Sequence, residues 1–260
     1  MLQDVKLLEV IASICGWCYF FIWGSYMYPQ AFLNYKMKSV EGFKLDYPFL
    51  NLTGYIFICI CNCTAYFHQF PFGNYGLGTI KIQDVLYAVN GTILCLILNL
   101  QALKYPRGKN TIAPFSILFT CFAWISALVY FMFSEVTGSV PPNDHMNILL
   151  YLGDLKVVVN IIKYVPLIYF NFRRKTTEGM SIVAFGLNLT GATFSLLQLF
   201  LDFHNGTTQV LNPVKLSLGA VTIFYDVILI IQYMLYRGRG SNMEESTLST
   251  YVSPDVAAQE

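Results

Sequence analysis

The chain has 260 residues, of which 55% are hydrophobic and 12% charged. An ordinary soluble domain carries about 25% charged residues. So few charges exclude a soluble fold of this size, and sixteen basic against fifteen acidic residues, a net charge of +1, exclude a polybasic nucleic-acid binder. The seven cysteines (15, 18, 59, 61, 63, 95 and 121) are odd in number and lie inside apolar runs, so a disulfide-framed secreted domain is excluded as well. A polytopic membrane protein is left.

A bilayer core about 30 Å thick takes roughly 20 apolar residues per helix. Runs of that length are predicted, in chain order, at 7–34, 47–68, 82–103, 112–134, 147–171, 180–203 and 214–236. The first is too long for the apolar core of a signal peptide and is expected to remain a membrane helix. The connections are short, and no separate soluble domain fits between them.

The sixteen basic residues sort by place. Eleven (Lys36, Lys38, Lys44, Lys104, Arg107, Lys109, Arg173, Arg174, Lys175, Arg237 and Arg239) fall at one set of span ends, and three (Lys6, Lys81 and Lys215) at the other. The richer face is expected to be cytosolic, with the N-terminus lumenal and the tail after residue 237 cytosolic. His68, His145 and His204 fall on the lumenal side and are read as wet loop residues. The last two lysines, 156 and 163, lie inside the fifth span.

The chain also repeats itself at an offset of 137 residues. Pro29 and Pro166, Asn34 and Asn171, Lys38 and Lys175, Glu41-Gly42 and Glu178-Gly179, and the Asn-Leu-Thr-Gly blocks at 51–54 and 188–191 coincide without a gap. Shared hydrophobicity does not explain polar, proline and glycine matches. A third span in each half carries an Asp-Val pair (Asp84-Val85 and Asp226-Val227), which suggests that Asp84 and Asp226 are equivalent. The expected architecture is an all-α membrane protein of seven transmembrane helices, built as two parallel three-helix repeats plus a linker helix. Residues 1–110 hold the first bundle, 111–146 the linker helix and a lumenal loop, 147–236 the second bundle, and 237–260 the tail. Each repeat has a proline within an apolar run. Proline deletes a backbone hydrogen bond, so Pro29 with Gln30, and Pro166, are expected to act as hinges.

The run Trp23-Gly-Ser-Tyr-Met-Tyr-Pro-Gln30, followed by Asn34, Lys38-Ser39, Gly42 and Asn51-Leu-Thr-Gly54, resembles the first box of the PQ-loop family. Lys156, Lys163-Tyr164, Pro166, Asn171-Phe172, Lys175, Glu178-Gly179, Ser181-Ile182 and Thr190-Gly191 resemble the second, followed by Phe194-Ser-Leu-Leu-Gln198 and Phe224-Tyr-Asp226. Within that family the likeness is to the proton-coupled cystine exporters of lysosomes and vacuoles. It implies a SWEET-like 3+1+3 fold, cystine or a related amino acid and protons as partners, and a place in a lysosomal or vacuolar membrane. The sequence departs from the family in three places. Val165-Pro166-Leu167 replaces a Pro-Gln pair, Asn188 stands where an aspartate associated with proton coupling is usual, and Ala184 replaces an asparagine.

Ionisable residues inside a span are costly and mark candidate sites. Lys156, Asn160 and Lys163 follow at helical spacing on one face. Two ammonium groups suit a substrate with two carboxylates, as cystine has. Alternatively each lysine pairs with Asp154, Asp84 or Asp226 and only holds the bundle together. Asn51, Asn188 and Asn171 are expected to hydrogen-bond substrate or to bridge helices, and Trp23 and Tyr28 to wall the pathway. With Asn188 unable to titrate, proton coupling is expected to rest on Asp84 first, then Asp226 or Asp154. Cys59 and Cys63 share a face that holds no histidine, so no metal or other cofactor is expected, and no arrangement of nucleophile and base points to an enzyme. Two rival readings stay open: a transporter of another amino acid, and a seven-helix receptor with no transport cycle.

Overall fold

The computed structural model describes residues 2–67, 80–137, 145–206 and 211–237. Its described residues form nine helical segments and no strand: α1 (Leu2–Ser25), α2 (Tyr28–Met37), α3 (Asp46–Phe67), α4 (Ile82–Lys104), α5 (Pro114–Thr137), α6 (His145–Ile162), α7 (Tyr164–Arg174), α8 (Ile182–His204) and α9 (Pro213–Tyr236). They make seven membrane crossings, because α1 with α2 and α6 with α7 are each one crossing broken in two. Six crossings are long and apolar enough to span by length and composition. The seventh, α6 with α7, carries Lys156 and Lys163.

Both breaks have the same cause. Pro29 has no N–H for the carbonyl of Ser25, and Pro166 has none for the carbonyl of Ile162. The chain therefore ends α1 at Ser25 and α6 at Ile162, and each proline falls in the first turn of the next helix, where its missing donor costs least. At the other end, α2 and α7 both stop on a lysine in the left-handed region, Lys38 (φ 50°) and Lys175 (φ 53°). The two lysines lie 3.5 Å from the rings of Tyr35 and Phe172 respectively, again matched positions.

Helix packing follows the repeat. Helix α1 lies on α8 as α6 lies on α3, and α3 pairs with α4 as α8 pairs with α9. The linker helix α5 touches only α3 and α6 among its closer neighbours. Its Phe115, Leu118, Phe122 and Ile125 are all at least 60% exposed, an apolar surface that only a bilayer accommodates. This is an integral membrane protein.

Within each repeat an amide pair ties the short helix to the third crossing. Asn34 Nδ2 donates to Gln101 Oε1 (3.0 Å), and Asn171 Nδ2 to Gln232 Oε1 (3.5 Å). This pairing sets the register of α4 against α9 and corrects the Asp-Val alignment. Gln101 matches Gln232, so Asp226 matches Cys95, and Asp84 matches Lys215. Asp84 stands in the first turn of α4, whereas Asp226 is buried in the interior of α9. A two-residue coincidence was too short to fix a register that the packing of whole helices decides.

On the face that carries the basic loops, the two repeats touch at matched glycines. A Cβ on Gly42 or on Gly179 (φ 82°) would overlap the backbone of the other. Gln30 fastens the contact by donating to the Gly179 carbonyl (2.9 Å) and accepting from Ser181 N (2.8 Å). Leu167, its counterpart in the second repeat, is fully buried in an apolar cluster with Phe43, Tyr47 and Tyr164.

Candidate functional site

The break between α6 and α7 places Lys163 at a helix junction, and the repeat interface carries α3 past it. Lys163 is 3% exposed and Lys156 2%. Both ammonium groups point to one atom, Asn51 Oδ1, at 3.0 Å from Lys163 and 3.5 Å from Lys156. The remaining surroundings are aromatic. Lys156 Nζ lies 3.9 Å from the centroid of the Tyr55 ring, and Lys163 Nζ lies 4.9 Å from those of Tyr47 and Tyr164. Cation–π contacts compensate part of the desolvation without supplying an anion.

Across the interface Asn188 holds the second half of the site. Its Oδ1 accepts from Trp23 Nε1, and its Nδ2 donates to Tyr164 OH (2.9 Å) and to Asp226 Oδ2 (2.6 Å). Asp226 is fully buried, and its Oδ1 has no hydrogen-bond partner. The ion pairs among the described residues are Lys44–Asp46, Lys81–Asp202 and Lys215–Asp84. Neither Lys156 nor Lys163 belongs to one, so the reading of those two as structural ion pairs does not describe this arrangement. Two buried lysine amines share a single carbonyl oxygen, and a carboxylate with one unpartnered oxygen is held by Asn188 across the interface.

Other candidates lie elsewhere. Tyr28 is 53% exposed on the outer surface, so it is no wall of a pathway. Asn160 shares the face of the lysines but turns towards α9, where it donates to Thr222 Oγ1 (3.1 Å). Asn171 sits near the basic loops in its pair with Gln232. Asp154 is exposed on α6 and faces away from the lysines of its own helix. Asp84 is occupied at the opposite membrane face, accepting from Tyr19 OH, from Lys81 N (3.0 Å) and from Lys215 Nζ (3.1 Å). His68 and Arg239 lie outside the described residues. No group of three or more His, Cys, Asp or Glu among the described residues is placed to hold a metal.

Sequence reasoning missed the tyrosines. Tyr26 OH accepts from Asn51 Nδ2 (2.9 Å), and Tyr55 OH meets Tyr87 OH at 2.7 Å. The repeat offset contained the signal, because it carries Tyr19, Trp23 and Tyr26 onto Lys156, Asn160 and Lys163. Gly91 on α4 makes room for the Tyr55 ring, which would overlap any Cβ there. Gly91→Ala is therefore expected to destabilise the protein by about 1–3 kcal/mol through overpacking. A lower thermal unfolding temperature in detergent would show it.

The PQ loop repeat family matches this chain at residues 11–70 and 148–208, the two repeats. A cystinosin homolog of Dictyostelium discoideum is 34% identical over 243 residues, covering 90% of this chain and 84% of that protein. The chain belongs to the cystinosin family of PQ-loop proteins. A cystinosin homolog of Caenorhabditis elegans is 34% identical over 240 residues, 88% of this chain, and this chain spans 58% of that relative's length. A protein of Saccharomyces cerevisiae named as a cystine transporter is 29% identical over 249 residues, covering 89% of this chain and 96% of its own length.

Proposed function

We propose that this family member is a secondary transporter that exports cystine from a lysosome- or vacuole-like lumen to the cytosol by proton symport and alternating access. The observation that carries the reading is the pair of buried, unpaired lysines. An ammonium group held in a low-dielectric interior without an anion is a large unmet demand, and a substrate carboxylate meets it. Asn51 and Asn188 then supply a matched amide from each repeat, one beside the lysines and one beside Asp226. The name of the yeast relative supports cystine as the cargo.

Asp226 takes the proton-coupling role in this reading. Asn188 cannot titrate, and Asp84 is already held by Lys215 and two further donors. Asp226 has a free oxygen and accepts from Asn188. The eleven basic residues at one set of span ends support a cytosolic assignment for that face. The matched breaks at Pro29 and Pro166 let each half-crossing swing, and the Gly42–Gly179 contact is the closed cytosolic end.

Uptake of radiolabelled cystine into proteoliposomes, with a pH gradient imposed or collapsed, tests this directly. Saturable uptake accelerated by acid on the lumenal side is expected. Purified, folded protein that moves no cystine would overturn the cargo, whereas uptake indifferent to the gradient would overturn only the coupling.

A further inference from the structure

On the face opposite the basic loops, α1, α3, α4, α6, α8 and α9 line a vestibule of about 70 Å³. Two ion pairs cross it between the repeats in opposite senses. Lys81 of the first repeat binds Asp202 of the second at 2.6 Å, and Lys215 of the second binds Asp84 of the first at 3.1 Å. Lys215 also donates to Gln198 Oε1 (2.9 Å) and lies over the Tyr19 ring. Ser195 lines the same cavity, is fully buried, and its Oγ has no hydrogen-bond partner. Ser195, Gln198 and Asp202 succeed one another at helical spacing, so they lie on one face of α8. That face continues to Asn188 at the inner site. Trp23 stands between the two, lining the vestibule while donating to Asn188.

We propose that this vestibule is an outer binding site for the headgroup of an α-amino acid, loaded by exchange of the two crossing ion pairs. The headgroup carries one ammonium and one carboxylate about a single carbon. Its carboxylate takes the place of Asp84 or Asp202 on a lysine and accepts from Ser195 Oγ, while its ammonium takes the place of the lysine on the released aspartate. A cation or an anion alone replaces only one partner and leaves the other uncompensated in a confined space. The site therefore selects zwitterions, and its occupancy loosens the link between the repeats at this end. It rests on the transport reading only for the class of cargo and does not require cystine.

Glycine, the smallest molecule with that headgroup, is the probe, observed by saturation-transfer NMR on the full chain in nanodiscs. Lys163→Met serves as the background in which the inner site is removed. In it, saturable glycine binding is expected to remain, with acetate and methylamine competing at least tenfold more weakly. Adding Lys81→Gln is expected to weaken glycine roughly tenfold, and adding Ser195→Ala, which touches no ion pair, is expected to weaken it by a similar factor. Absence of glycine binding in the background variant overturns the proposal. So does binding that neither second substitution weakens, or competition by acetate or methylamine as strong as by glycine. Because cystine is not the probe, a failed cystine-uptake experiment leaves this outcome separately readable.

Discussion

Lys163→Met is expected to reduce cystine uptake in proteoliposomes to background and, at the same time, to raise the thermal unfolding temperature of the purified protein. The two effects have one origin. Lys163 is 3% exposed, makes one hydrogen bond, to Asn51 at 3.0 Å, and has no ion-pair partner. Its charge is held against a desolvation cost that the empty site does not repay. Methionine fills a similar volume without that cost, and replacing buried charges by apolar groups stabilises by about 1–4 kcal/mol where packing is kept. Asn51 Oδ1 keeps Lys156 as a donor, so no new orphan appears. What is lost is a charge-assisted hydrogen bond to substrate, worth about 1.5–3 kcal/mol, or roughly 10–100-fold in binding. Normal uptake would show that the lysine only packs. Loss of uptake together with loss of stability would show that it holds the fold.

Asp226→Asn is expected to separate transport from its driving force. With the proposed symport, acidifying the lumenal side of the wild type is expected to raise uptake, because each cycle would carry a proton down its gradient. One pH unit corresponds to about 1.4 kcal/mol per proton, or an accumulation ratio of about ten. The asparagine keeps an oxygen that accepts from Asn188 Nδ2, as Asp226 Oδ2 does at 2.6 Å, but it binds no proton in the working range. Exchange of cystine across the membrane without a gradient is therefore expected to persist, and the dependence of uptake on lumenal pH to become flat. A variant that still concentrates cystine on a proton gradient would move the coupling elsewhere, and Asp84→Asn would then be the next measurement.

Symmetry of the scaffold and asymmetry of the chemistry are why these two substitutions are expected to act so differently. The repeats share their helix breaks, their glycine contact and their asparagine pair, Asn51 and Asn188. The buried charges are not shared. Lys156 and Lys163 come from the second repeat, where the first has Tyr19 and Tyr26, and Asp226 stands where the first has Cys95. A symmetric frame can rock, while an asymmetric lining binds a ligand in one pose.

The membrane, the seven crossings, the repeat and the two lysines are legible in the chain alone. Those features are local: a run of apolar residues, a proline, a motif at a constant offset and a charge where charges are rare all act through neighbours in the chain. Which polar groups meet depends on how the helices pack. Asp84 and Asp226 each precede a valine, yet one lies in the first turn of α4 and pairs with Lys215, and the other is buried beside Asn188. Tyr28, Asn171 and Asp154 were plausible by type and place, but helix rotation about its own axis sets the face each residue presents, and adjacent crossings set that rotation by packing. The physical reason is range. Hydropathy and backbone hydrogen bonding act within a helix, whereas the meeting of Lys163 with Asn51, 112 residues apart in the chain, depends on how whole helices settle against one another.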